Sequence, residues 1–128
     1  MITIEVGANN GQDTEIFLSN PDNILYTFEP VPKLAYDLMK KFSRNKNFHL
    51  IMAAVDLENG FKQFNISEEA DWGCSSLHSF AKDIHEKWPN RGDFFYSDYV
   101  SNCMCIRLDT FMDVYGIKQV DYVHIDAQ

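Results

Sequence analysis

The sequence predicts an α/β fold in which helices flank a parallel sheet. Two observations favour this class. Short apolar segments alternate with segments of helical spacing through the first half of the chain, and the first apolar segment runs directly into a glycine-containing turn. Alternating strands and helices of these lengths are typical of parallel sheets, whose crossover connections are right-handed. Neither a repeat nor a linker interrupts the sequence, so we expect one domain.

The composition is that of a folded and acidic protein. Hydrophobic residues make up 45% of the 128 residues and aromatic residues 14%, which suits one domain with a core. The net charge of −8 repels phosphate-rich partners, so we expect no nucleic acid ligand. No apolar stretch is long enough to span a membrane, and no charged-then-apolar leader precedes the first strand. We therefore expect a cytoplasmic protein without a membrane partner.

Periodicity and helix breakers define the elements of the first half. Strands are predicted at Ile2–Val6 and Ile24–Phe28, joined by a helix that an Asn-Pro pair ends. A second helix is predicted over about Pro32–Phe42, because proline is favoured in the first turn and apolar residues recur on one side. Phe48–Val55 is a continuous apolar run, which is typical of a strand buried on both faces.

The stretch from residue 56 to residue 108 interrupts the alternation, and we interpret it as an elaboration that contacts a substrate or partner. Within it, a strand over Phe61–Ile66 is predicted to form a hairpin with the preceding strand, and a helix is predicted over about Ser79–Trp88. The other predicted elements are a strand over Cys103–Leu108, a short helix from an Asp109 N-cap to Tyr115 with Gly116 as its C-cap, and a last strand over Val120–Ile125.

The turn after the first strand, residues 5–11 (EVGANNG), is the first candidate site. Glycine lets a ligand approach the bare backbone, and the N-terminus of the next helix presents unpaired N–H groups. A dinucleotide fingerprint reads G-x-G-x-x-G, whereas this turn reads G-x-x-x-G, with Asn9 in the position of the second glycine. The turn therefore favours a ligand without pyrophosphate. Glu5 is the candidate residue to hold a cationic amine of such a ligand. The alternative is a purely structural turn.

An acidic residue follows the second strand at the position expected of a ribose ligand. Glu29 lies 18 residues after Gly11, at the carboxyl end of that strand. A carboxylate there can accept hydrogen bonds from both hydroxyls of an adenosine ribose. The alternative is a carboxylate that answers the dipole of the next helix. Together with the glycine turn, the ribose role is the favoured interpretation.

Asp126, at the carboxyl end of the last strand, is the candidate catalytic residue. Open α/β sheets bind ligands in the crevice at this end of their strands, where a carboxylate can orient a hydroxyl and take its proton. The alternative is that Asp126 only caps the turn after the strand. His124 shares its face, and packing is the favoured role for that side chain. The four histidines lack the spacing of a metal site, so we expect no metal.

The order of these segments resembles the FkbM-type family of S-adenosylmethionine (SAM)-dependent methyltransferases. The matching segments, in chain order, read IEVGANNG, FEPVP, AAV, WGCSSL, RLDTF and VDYVHIDAQ. The resemblance covers almost the whole chain, and it implies a Rossmann-like sheet of the class I methyltransferase type with SAM as the cofactor. It also implies methyl transfer, for which we expect a hydroxyl on a small-molecule or carbohydrate acceptor.

The resemblance assigns roles to individual positions. The cofactor-binding residues that it implies are Glu5, Gly7, Ala8, Asn9, Gly11, Glu29, Pro30 and Ala54. The Ser75-Ser76 pair resembles a family loop near the active site. The chain departs from the family pattern at His124, where the family usually has lysine.

The end of the chain bears on the activity of residues 1–128. The last predicted strand stops three residues before Gln128, so we expect a domain that is incomplete at its C-terminus, with its sheet truncated after the fourth core strand. An unpaired strand edge is available for self-association. We predict that these residues alone bind SAM weakly or not at all. Two alternatives stay open: a nicotinamide-dependent oxidoreductase with a degenerate fingerprint, and a non-catalytic interaction module of the same fold.

Overall fold

The computed structural model describes residues 1–67, 75–78, 84–87 and 99–127. The strands are β1 (Ile2–Val6), β2 (Ile24–Phe28), β3 (Phe48–Ile51), β4 (Ala54–Val55), β5 (Gly60–Ile66), β6 (Tyr99–Ile106) and β7 (Tyr122–Ile125). The helices are α1 (Gln12–Leu18), α2 (Pro32–Phe42), α3 (Ile84–Lys87) and α4 (Leu108–Tyr115). Among the described residues, none of the helices is long and apolar enough to cross a membrane.

A four-stranded parallel sheet forms the centre of the fold. Its strand order is β3-β2-β1-β7, and helices flank it, which confirms the predicted α/β, Rossmann-like class. Strand β1 lies between β2 and β7, and its Glu5 pairs in register with Thr27 on one side and His124 on the other. The carboxyl ends of these three strands therefore meet at one edge of the sheet.

The two faces of β1 differ in chemistry. One face presents Ile4 and Val6, which pack with Phe28 of β2 and Phe111 of α4 in a buried apolar cluster. The Phe28 and Phe111 rings meet edge to face, with their centroids 4.9 Å apart. Successive strand residues point to opposite faces, so the other face carries Glu5, which is buried although it is charged in water.

A second, three-stranded sheet has the order β4-β6-β5, with β4 parallel and β5 antiparallel to β6. Two predictions were wrong here. The apolar run 48–55 breaks at Met52-Ala53 into strands of different sheets, and β3 is only partly buried because it is the outer strand of its sheet. In addition, β5 does not pair with β4, because β6 lies between them and bonds to both.

Several predicted boundaries shift in the structure. Helix α4 begins at Leu108 with Arg107 at the N-cap, so Asp109 lies in its first turn, where it pairs with the Arg107 guanidinium instead of capping. Gly116 adopts a φ of +69° and ends this helix, as predicted. Strand β6 extends over Tyr99–Ile106, and β7 begins at Tyr122. Of the helix predicted over Ser79–Trp88, only α3 falls within the described residues.

Candidate cofactor site

A cavity of about 250 Å³ opens at the carboxyl ends of β1, β2, β4 and β7. Six of the predicted site residues line it: Gly7, Asn9, Glu29, Pro30, Ala54 and Asp126. They come from four separate stretches of the chain. The parallel register of β1, β2 and β7 brings three of these stretches to one edge of the main sheet, and Ala54 comes from β4 of the second sheet. This edge is where open α/β sheets bind their ligands.

Gly7 is fixed by a close approach of two strand ends. Its φ is +86°, and a Cβ at this position would lie 2.3 Å from the carbonyl oxygen of Asp126. Its N–H donates to the carbonyl of Phe28 at 3.0 Å. A side chain here would collide with backbone, so the turn requires glycine for both its conformation and its space.

Position 11 requires glycine for a different structural reason. Its φ is +80°, and a Cβ would lie 2.7 Å from Cδ2 of Leu38 and 2.9 Å from Cε2 of Phe42. Gly11 therefore lets α1 start against α2, and it is absent from the cavity wall. Ala8 is also buried behind the wall, where its carbonyl accepts the N–H of Gly11 at 2.8 Å.

Glu29 joins the glycine turn to the start of α2. Its Oε2 accepts the backbone N–H of Asn9 at 2.9 Å, and its Oε1 accepts that of Val31, also at 2.9 Å. Asn9 has a φ of +49°, so this bond holds a conformation that few side chains favour. Glu29 is only 4% exposed, and burial raises the pKa of its carboxyl group against the lowering effect of the two N–H bonds.

Glu5 lies beneath the turn and does not line the cavity. The carboxylate is 1% exposed and accepts hydrogen bonds from two buried hydroxyls, those of Thr14 and Thr27. Burial raises the pKa of Glu5, although both hydroxyl bonds act to lower it. The structure therefore places this predicted ligand within the core, between β1, β2 and α1.

Asp126 is exposed at the mouth of the cavity, and its N–H donates to the carbonyl of Val6 at 2.9 Å. His124 lies on the far side from the apolar core, with its Nε2 3.2 Å from Oδ2 of Asp13 and its ring against Phe17 at 5.5 Å between centroids. Asp13, His124 and Asp126 can present ligand atoms within 4.8 Å of one another. The spacing of histidines could not reveal this group, because Asp13 comes from α1.

Sequence reasoning missed the apolar wall of the cavity. This wall combines the start of α2 with residues of the second sheet and its adjoining loop. Its apolar residues are Val31, Leu34, Phe64 and Leu77, and the buried Ser75 adjoins them. The Ser75 hydroxyl accepts the N–H of Ser67 at 3.0 Å, which holds the loop against the end of β5. Only Ser75 had a signal in the sequence, through the family loop.

A second, more open depression of about 490 Å³ adjoins the cavity on the α4 face of the sheet. The two share Val6, Val55 and Ala127. The other walls of the depression include the exposed side chains of Leu57 and Ile125. A ligand in the cavity and a second molecule in the depression would therefore be neighbours across the end of β1.

These features define a Rossmann-like α/β domain, with a glycine turn after the first strand and a buried acidic residue after the second. A family model described as the methyltransferase FkbM domain matches residues 5–128. The chain belongs to this methyltransferase family, which confirms the resemblance seen in the sequence. Comparison with curated proteins and with solved structures gave no match.

Proposed function

We propose that this chain is a SAM-dependent methyltransferase domain that methylates a hydroxyl oxygen of a small-molecule or carbohydrate acceptor. The observation that supports this most strongly is the placement of Glu29, a buried carboxylate at the cavity wall that anchors the glycine turn. Membership of the FkbM methyltransferase family favours this function over nicotinamide-dependent oxidoreduction. The substitution of Asn9 for the second fingerprint glycine points the same way.

The residues that line the cavity suit the parts of SAM. Each Glu29 oxygen accepts one backbone N–H, and a carboxylate oxygen has capacity for a further bond, so the two ribose hydroxyls can donate there. The apolar wall formed with Val31 and Phe64 beside Ala54 suits an adenine ring. The backbone of Gly7 and Asn9 is left for the methionine part.

Asp126 is the group we assign to the acceptor hydroxyl. SAM supplies a methyl carbon already activated by its sulfonium, so the protein has only to align the nucleophile and accept a proton. The exposed carboxylate of Asp126 lies at the cavity mouth, within reach of an incoming molecule. It would orient the hydroxyl and take its proton, while the adjoining depression beside Leu108 accommodates the acceptor.

Calorimetry with S-adenosylhomocysteine on the full-length protein tests the proposal. We expect binding that Glu29→Ala weakens by roughly tenfold or more, since ribose bonds to a carboxylate are charge-assisted. Asp37→Asn is the matched control, because Asp37 is an exposed carboxylate on α2 whose partner within the described part of the chain is Lys33. Absence of binding to the unaltered protein, or equal effects of both variants, would refute the proposal. NADH binding would favour the oxidoreductase instead.

A further inference from the structure

We propose that Glu5 is a positioning residue for the cofactor turn: its buried carboxylate fixes the first turn of α1 through Thr14, without touching the ligand. This inference rests on the proposed function. It replaces the direct contact with a cationic amine that the sequence suggested, because the carboxylate lies outside the cavity wall.

The contacts of Glu5 join three elements at one point. The Thr14 hydroxyl donates to Oε1 at 3.0 Å and to Oε2 at 2.8 Å, and the Thr27 hydroxyl donates to Oε2 at 2.8 Å. Thr14 and Thr27 are fully buried, and Glu5 is 1% exposed. Hydrogen bonds to a charged group in so dry a place are stronger than their counterparts at the surface.

Helix α1 depends on such contacts at its first turn, because its apolar contacts lie in its second half, where the half-buried Phe17 ring faces Tyr122 with the centroids 5.8 Å apart. The helix has seven residues, of which Thr14 is the buried one, and its Gly11 N-cap makes no side-chain capping bond. A helix this short is not stable by itself, so tertiary contacts set its position. Since the buried residue is held by its hydroxyl, the Glu5–Thr14 bond aligns the helix on the sheet.

The C-terminal half of α1 has a separate polar anchor. Asn23 donates from Nδ2 to the carbonyl of Phe17 at 3.1 Å, and Thr3 orients Asn23 by donating to its Oδ1 at 2.9 Å. Thr3 and Asn23 are as deeply buried as Glu5. The two anchors therefore resemble each other, but only that of Glu5 lies beside the cofactor turn.

Backbone hydrogen bonds couple the first turn of α1 to the glycine turn. The N–H of Glu15 donates to the carbonyl of Gly11 at 3.1 Å, and the N–H of Gly11 donates to the carbonyl of Ala8 at 2.8 Å. Ala8 separates Gly7 from Asn9, and both of these line the cavity. A shift of Thr14 therefore moves the backbone groups that face the ligand.

Calorimetry with S-adenosylhomocysteine on paired variants of the full-length protein tests this inference. Thr14→Val should weaken binding roughly tenfold, because loss of one hydroxyl bond to a charged acceptor releases α1. Thr27→Val is the matched control, since it removes a bond of the same kind from the same Oε2 but leaves α1 tethered. Its affinity should stay within about threefold of the unaltered protein. Equal losses in the two variants would indicate general destabilisation and overturn the inference.

Substitution of Glu5 itself separates positioning from direct ligand contact. Glu5→Gln keeps the shape and one acceptor oxygen for the Thr14 hydroxyl, so its affinity should stay within about threefold, whereas Glu5→Leu should lose roughly tenfold. If Gln loses as much as Leu, the charge acts on the ligand and the inference is wrong. Thr14→Ser retains the hydroxyl and should restore binding, and a tenfold loss there would also contradict it.

Hydrogen exchange distinguishes failure of this inference from failure of the proposed function. Thr14→Val should speed amide exchange across α1 more than Thr27→Val does, with or without a cofactor. If the unaltered protein binds no S-adenosylhomocysteine but α1 still responds in this way, the proposed function fails while the anchoring role of Glu5 stands. If α1 responds equally to both variants, the anchoring role itself is refuted.

Discussion

Replacement of Gly7 by alanine tests the close packing of β1 against the end of β7. The new Cβ would lie 2.3 Å from the carbonyl oxygen of Asp126, and the residue would have to keep a φ of +86°. Left-handed backbone costs about 1–2 kcal/mol for alanine, and forced overpacking costs about 1–3 kcal/mol more. Because the obstacle is backbone and not a flexible side chain, we expect Gly7→Ala to lower the free energy of unfolding by about 2–5 kcal/mol.

Gly116→Ala is the control that isolates the steric part. Gly116 has a similar φ of +69°, but a Cβ there meets no atom of the described residues within 4 Å. It should therefore cost only the conformational term of about 1–2 kcal/mol. Urea unfolding followed by circular dichroism measures both variants, and any gain from a stiffer unfolded chain is the same in each. Equal costs for the two substitutions would refute the close approach of Gly7 to Asp126.

Three further predictions concern the turn and its carboxylates. Gly11→Ala should cost less than Gly7→Ala, about 1–3 kcal/mol by urea unfolding, because the Leu38 and Phe42 side chains that it meets can move; an equal or larger cost would contradict this. The pKa of Glu5 is raised from 4.5 by burial, so the folded state binds the extra proton and stability should fall as pH rises from about 4.5 through the folded pKa. Glu5→Gln should flatten that slope in unfolding measured across pH, and an unchanged slope would refute the assignment. Asp126→Asn should slow methyl transfer by about 10²-fold while affinity for S-adenosylhomocysteine is kept, and loss of affinity instead would make Asp126 a binding residue.

The first half of the fold could be predicted from local signals. The bounds of β1, β2 and α2 agree with the prediction, because a local signal marks the end of each strand and the start of the helix. A glycine turn ends β1, Pro30 lies beyond β2, and Pro32 opens α2. These signals act within a few residues, so they need no knowledge of the tertiary structure.

The second sheet could not be predicted in the same way. The run FHLIMAAV contains no breaker, so nothing local marks the change of sheet at Met52-Ala53. Which strand pairs with β5 is decided by β6, about 40 residues later, through antiparallel pairs such as Phe61 with Met104. Strand pairing at this separation depends on packing between distant segments, and alternation within one segment cannot reveal it.

The site was predictable in its backbone features and not in its side-chain directions. Gly7 and Glu29 follow strands whose ends meet, so their placement follows from the class of fold. The burial of Glu5 depends on the two threonines that face it, and hydroxyls on α1 and β2 have no distinctive pattern in the sequence. The apolar wall depends on the second sheet, so it was missed together with that sheet.

Glu5 and Glu29 show why an acidic residue near a glycine turn has no single role. Both are buried, and burial raises the pKa of both carboxyl groups. Glu29 is bonded by backbone N–H groups and lines the cavity, so its remaining acceptor capacity is available to a ligand. Glu5 is bonded by Thr14 and Thr27 behind the wall, so its acceptor capacity serves the scaffold. The partners of each carboxylate, and not its position in the motif, therefore separate the proposed ribose ligand from the proposed anchor of α1.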